Sequence, residues 1–149
     1  MLTSVMGLKP VELLLVEDDP GDVRLTQEAF KGGHVPVRLS VARDGVEAID
    51  FLHRRGPFQD APRPDLILLD LNLPRKNGRE VLLDIKTDPD LKRIPVLVMT
   101  TSSAEQDISK AYSLNANCYL TKPIAFDEFI DMVHSIEDFW LTKASLPAD

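Results

Sequence analysis

The chain has 149 residues, enough for one ordinary domain around a single core. Its 44% hydrophobic and 28% charged residues fit a globular protein rather than a disordered one, and the net charge of −7 argues against direct DNA binding. A single cysteine, Cys118, excludes an internal disulfide; MLTSVMGLKP lacks a signal-peptide core, and no apolar run reaches membrane-spanning length, so a cytoplasmic protein with no membrane association is expected.

Residues 1–10 read as an N-terminal extension. VELLLV, Val11–Val16, is the first strand and runs into Glu17-Asp18-Asp19. Pro20 and the acids before it are start signals for a helix carrying Val23, Leu25, Thr26, Ala29 and Phe30, which Gly32-Gly33 ends. A second strand is expected over Val35–Ala42. A second helix starts from Asp44-Gly45 and carries Val46, Ile49, Phe51 and Leu52. Arg54–Pro64 is a proline-rich loop. Leu66–Leu69 shows no polar alternation, the mark of a strand covered on both faces, yet it ends on the carboxylate of Asp70, and Pro74 forbids a central strand from continuing. The third helix is predicted at about Gly78–Thr87, with Val81, Leu82 and Ile85 inward, stopping before Asp88-Pro89. Ile94–Thr100 is the fourth strand. Ser102 or Ser103, followed by Glu105 and Gln106, has the pattern of a capping box opening a fourth helix. Asn117–Thr121 is the fifth strand, and a fifth helix spans about Phe126 to Leu141. Residues 142–149 form a tail.

Strict strand–helix alternation with short connections implies a parallel sheet wrapped on both faces. Five units suit an α/β, flavodoxin-like, doubly wound sheet of order 2-1-3-4-5 over residues 11–141, whereas a barrel needs about eight. In that order strands one and three are neighbours, so Glu17, Asp18, Asp19 and Asp70 converge at the carboxyl edge where such sheets bind ligands. Strand four brings Thr100-Thr101 to the same edge, and strand five brings Thr121-Lys122-Pro123. Each residue has a structural reading as well. Asp70 could bond its own turn, Asp19 could cap the first helix, Thr100 could be a cap, and Lys122 could be a surface charge. Together they supply what phosphoryl transfer needs. Crowded carboxylates with no His or Cys select a hard cation such as Mg²⁺. The Asp70 carboxylate can act as nucleophile, while Thr100 and Lys122 bind phosphoryl oxygens.

The motifs VEDD, LILLDLNLP, VMTT and CYLTKP, in this order and spacing, resemble the receiver domain of two-component response regulators. The resemblance implies that Asp70 becomes a 4-aspartylphosphate by transfer from a sensor histidine kinase, and that the chain assists its own phosphotransfer and autodephosphorylation rather than acting as an enzyme on other substrates. It implies Mg²⁺ held by Asp18, Asp70 and the Asn72 carbonyl, with Glu17 acting through water. It makes Thr100 the switch hydroxyl, Tyr119 the aromatic switch and the Lys122–Pro123 bond cis, an isomer open mainly to X–Pro bonds. Cys118 reads as a passive core thiol. The loop HRRGPFQDAPRPD, the segments TDPDLKRIP and NANCYLTKP, and the tail SIEDFWLTKASLP resemble single-domain regulators paired with bacterial and cyanobacterial phytochromes. A phytochrome kinase is then the expected partner, with output through a protein contact or onward phosphate relay.

Two rivals remain at this level. A haloacid-dehalogenase-type phosphatase also uses a strand-end Asp but wants a second Asp two residues on, where this chain has Asn72. A flavodoxin-like binding module needs a phosphate-cradling loop after strand one, where this chain has acidic EDDP. In the fifth helix, Phe126, Phe129, Ile130, Val133 and Trp140 share one stripe, the expected packing face. Met132 and Phe139 flank it, with Ile136 between the two faces; with the following Leu141 and the tail residue Leu146 they suggest a homodimer face formed with the fourth helix and fifth strand. The alternative is that the flank packs on the neighbouring fourth helix or is a scattered exposure of apolar side chains.

Overall fold

A computed structural model describes residues 9–101 and 116–143. Five parallel strands form one sheet of order β2-β1-β3-β4-β5: β1 Val11–Val16, β2 Val37–Ala42, β3 Leu66–Asp70, β4 Val96–Thr100 and β5 Cys118–Thr121. This is the flavodoxin-like arrangement expected from the alternation. The described helices are α1 Pro20–Lys31, α2 Gly45–Leu52, α3 Gly78–Thr87 and a C-terminal helix, Phe126–Ile136, which continues as a π-helical segment over Glu137–Lys143. The helix expected from Ser102 or Ser103 and the tail residue Leu146 lie outside the described residues.

Local chemistry sets the helix starts. The Asp19 carboxylate accepts the backbone N–H of Gly21 at 2.8 Å and of Asp22 at 3.4 Å, so its capping role is real. Asp44 caps α2 through the Glu47 N–H, and Asn77 and Glu80 form a reciprocal capping box on α3. Prolines trim the predicted strands. β2 begins after Pro36 and β4 after Pro95, because proline offers the ladder no N–H.

Strand alternation divides the core in two. Leu14, Val16, Ile67, Leu69, Val96 and Val98 face α2 and α3, while Leu13, Leu15, Leu66, Leu68, Leu97 and Met99 face α1 and the C-terminal helix. Every residue of β3 and β4 is buried, as the unbroken apolar runs require.

The C-terminal helix departs from expectation at two positions. Phe126, placed on the packing stripe, is 65% exposed. It is the first helical residue, and Cβ bonds tilt toward the helix N-terminus, so its ring projects past the end of the helix. Ile136, assigned to a partner face, is 3% exposed and lies in the core with Phe129 and Val133, because positions i, i+4 and i+7 share one stripe. Met132, Trp140 and Leu141 are half-buried against the same cluster, and Phe139 is 55% exposed with its ring edge-on to Trp140.

Candidate functional site

The strand-end residues meet as the topology requires. Glu17 continues the face of Leu13 and Leu15, Asp70 that of Leu66 and Leu68, and Lys122 that of Cys118 and Leu120. All three side chains therefore turn toward α1. The Lys122 ammonium donates to Glu17 Oε1 at 2.5 Å, to Asp70 Oδ2 at 2.9 Å and to Asp22 Oδ2 at 2.9 Å. Asp22 was not singled out from the sequence. It is the third residue of α1, and its proximity to the acids of the preceding loop was the available signal.

Asp70 is 4% exposed. Its Oδ1 accepts the Asn72 backbone N–H at 2.9 Å, so the turn-forming role and the site role coexist in one carboxylate. The Asn72 side chain donates to Thr100 Oγ1 at 2.9 Å, and the Lys122 backbone N–H donates to the Thr100 carbonyl at 2.8 Å. Thr100 belongs to the opposite strand face, with Val96 and Val98, and is fully buried. Tyr119 packs half-buried against that same face. Gly78 is required here, because a Cβ would lie 2.4 Å from the Asp70 carbonyl oxygen. The Lys122–Pro123 bond is trans, as no cis peptide occurs among the described residues, which corrects the cis expectation. The two X–Pro isomers differ by only about 0.5–1 kcal/mol, so the dipeptide alone does not decide between them.

Glu17 and Asp70 are buried and Asp18 is exposed at the rim, and one carboxylate oxygen of each lies within 4.8 Å of the others. Burial pushes the Glu17 carboxyl up to about 8; the Lys122 hydrogen bond pulls against this, and the Asp70 charge adds to it. Burial also acts to lower the Lys122 ammonium, but its bond to Glu17 and the charges of Asp70 and Glu17 outweigh it, so Lys122 is raised and stays charged. Oxygen donors without His or Cys, crowded and only partly neutralised by one ammonium, fit a hard divalent cation. Asp18, exposed beside two buried acids, leaves such an ion open to solvent and substrate.

An acidic strand-end pocket with a buried Asp, a lysine and a hydroxyl, on a 2-1-3-4-5 sheet, defines a receiver. The response regulator receiver domain family model matches residues 13–134, and the chain belongs to that family. It is 52% identical over 139 residues to the response regulator Rcp1 of Synechocystis sp., an alignment covering 93% of this chain and 95% of Rcp1. The solved Mn²⁺-bound form of Rcp1 superposes with a TM-score of 0.90 at 52% identity, over 93% of this chain and 100% of that one. The phosphorylated cyanobacterial phytochrome response regulator RcpA superposes with a TM-score of 0.91 at 50% identity, over 94% and 100%. The bacteriophytochrome response regulator AtBRR gives 0.73 at 37% identity, over 95% and 100%. The chain is thus a response regulator homologous to phytochrome response regulators. That decides against both the phosphatase and the binding module.

Among the described residues no helix is long and apolar enough to cross a membrane.

Proposed function

We propose that Asp70 is the phosphoacceptor, taking a phosphoryl group from a sensor histidine kinase of the phytochrome class in a Mg²⁺-dependent reaction. The observation that carries this reading is the buried Asp70 carboxylate held between the Asn72 N–H and the Lys122 ammonium, with Glu17 and Asp18 beside it. A carboxylate oxygen attacks phosphorus, a P–O bond forms, the donor's P–N bond breaks, and the imidazole leaves with the electron pair. Asn72 and Lys122 fix the orientation of the carboxylate before attack. Lys122 is placed to compensate charge on the phosphoryl oxygens, and the Thr100 hydroxyl is a further donor at the same edge. Asp18, Asp70 and the Asn72 carbonyl would hold Mg²⁺, with Glu17 acting through water; the ion supplies charge neutralisation during transfer. The Mn²⁺-bound form of Rcp1 and the phosphorylated form of RcpA support the reading by homology.

In the same reading Thr100 and Tyr119 relay the change at Asp70 to the α3 side of the sheet. The chain catalyses its own dephosphorylation, works in the cytoplasm, and signals to a downstream phosphotransfer or effector protein. A homodimer forms on a face that includes Phe139, with Met132 and Leu141 at its margin; Ile136, buried in the core, is not part of it.

The test is incubation with a phytochrome histidine kinase and ATP, or with acetyl phosphate, plus Mg²⁺, followed by intact-mass measurement. Wild type gains one acid-labile, hydroxylamine-labile acyl phosphate and Asp70→Asn gains none, because an amide is not a nucleophile here. Equal labelling of Asp70→Asn overturns the assignment.

A further inference from the structure

We propose that Asp22 is a positioning residue of the phosphoacceptor site: it is the partner that Lys122 gives up when a phosphoryl group arrives on Asp70. The inference rests on the phosphoacceptor reading above.

An ammonium has three donors. In Lys122 they are directed to Glu17, Asp22 and Asp70. To engage a phosphoryl oxygen, Lys122 must therefore release or share one of these bonds. The three acceptors are not equivalent. The side chains of Glu17 and Asp70 are 1% and 5% exposed, whereas that of Asp22 is 27% exposed. Glu17 is further held by the Asp19 N–H on its other oxygen, at 3.2 Å, and Asp70 by the Asn72 N–H. Releasing a buried carboxylate strands a charge out of water, while releasing Asp22 exposes an oxygen that water can satisfy. Asp22 is thus the bond that exchanges at least cost.

The location of Asp22 supports a role tied to Lys122. It sits in the first turn of α1, on the element toward which Glu17, Asp70 and Lys122 all turn. Its charge acts on the site in two ways. It holds the ammonium of the resting protein in place, and it adds negative potential that opposes an incoming anionic donor. A helix-start carboxylate also favours the helix dipole, a purely structural role that predicts a different outcome.

The test uses the full chain as wild type, Asp22→Asn and Asp22→Glu, with Asp70→Asn as the control that gains no phosphate; phosphorylation is followed at saturating Mg²⁺, and Mg²⁺ binding on protein first freed of the ion. Phosphorylation by acetyl phosphate is timed at low and high ionic strength, and Mg²⁺ affinity is measured by calorimetry. Asp22→Asn is expected to be phosphorylated about three- to tenfold faster than wild type at low salt, the scale of removing one partly screened charge next to the site. Its rate should depend less on ionic strength than that of wild type, and its Mg²⁺ affinity should fall a few-fold. Asp22→Glu, which keeps the charge, should stay close to wild type in all three measurements. An Asp22→Asn rate at or below that of wild type, with unchanged salt dependence, overturns the proposal and reduces Asp22 to a helix-start residue. Wild type that takes no phosphate overturns the phosphoacceptor reading itself, a result separate from any difference between variants.

Discussion

Replacing Glu137 by alanine removes a buried carboxylate that ties the C-terminal segment to the loop after α1. Glu137 is 3% exposed, and its Oε2 accepts the backbone N–H groups of His34 and Val35, both at 2.7 Å. Hydrogen bonds to a charged acceptor contribute roughly 1.5–3 kcal/mol each, and a buried donor left unpaired costs about 1–3 kcal/mol. His34 is exposed, so water can reach part of the vacated site and lower the penalty. A loss of about 2–4 kcal/mol is expected for Glu137→Ala. At roughly 3 °C per kcal/mol for a chain of this size, that corresponds to a fall in Tm on the order of 6–12 °C. Glu137→Gln keeps one acceptor oxygen and should lose about half as much. Urea unfolding followed by Trp140 fluorescence gives the stability, and hydrogen exchange of the His34 and Val35 amides localises it. A loss below about 0.5 kcal/mol, within the range of an ordinary surface substitution, would refute the clamp. Unchanged exchange at both amides would do the same.

Two further outcomes can be checked with the same preparations. The half-buried Lys86 amine donates to the carbonyls of Lys92 and Ile94 and to Asn117 Oδ1, and burial lowers its pKa below the usual lysine value. The unfolded chain therefore binds more protons between the two pKa values, so this group's contribution to stability rises as pH climbs through the folded pKa toward the free-lysine value; the stability gap between wild type and Lys86→Met should widen with alkaline pH, and a constant gap in pH-dependent urea titrations would contradict this. Phe139→Asp should weaken self-association about 10- to 100-fold, the equivalent of one buried aromatic side chain, in sedimentation velocity across a concentration series; monomers at all concentrations in both proteins, or equal dimerisation, would remove Phe139 from the interface.

Much of this architecture is legible in the sequence because it depends on period and punctuation. β3 and β4 are unbroken apolar runs, and only a sheet covered on both sides hides such runs. The end of α3 at Thr87 follows from the Asp88-Pro89 stop, whereas the Asn77–Glu80 capping box that sets its start is seen in the structure. The convergence of Glu17, Asp18, Asp70 and Lys122 then follows from strand order, because each lies at the carboxyl end of its strand. Asp22 and Glu137 are harder to read. Each lies on a helical element, and its partners are set by how that element packs on the sheet, not by any local pattern. Glu137 meets His34 and Val35 across more than 100 residues of sequence.

The C-terminal segment shows how a regular period can conceal such a contact. An ideal helix advances about 100° per residue, so the stripe of Phe129, Val133 and Ile136 predicts which side of the helix is buried but not how it ends. Beyond Ile136 the chain adopts π-helical turns, which have more residues per turn and shift the later side chains around the axis. In that segment Glu137 is buried against the α1–β2 loop, Trp140 and Leu141 rest half-buried on the core, and Phe139 remains outside. The acid next to the apolar stripe is accommodated because two backbone N–H groups meet it. Gly33 leaves the required space, since a Cβ there would overlap the Glu137 carboxylate. Gly33, one of the two glycines that the sequence marks as a helix stop, therefore has a second role, making room for a charge from the far end of the chain. Only the first role is written in local sequence.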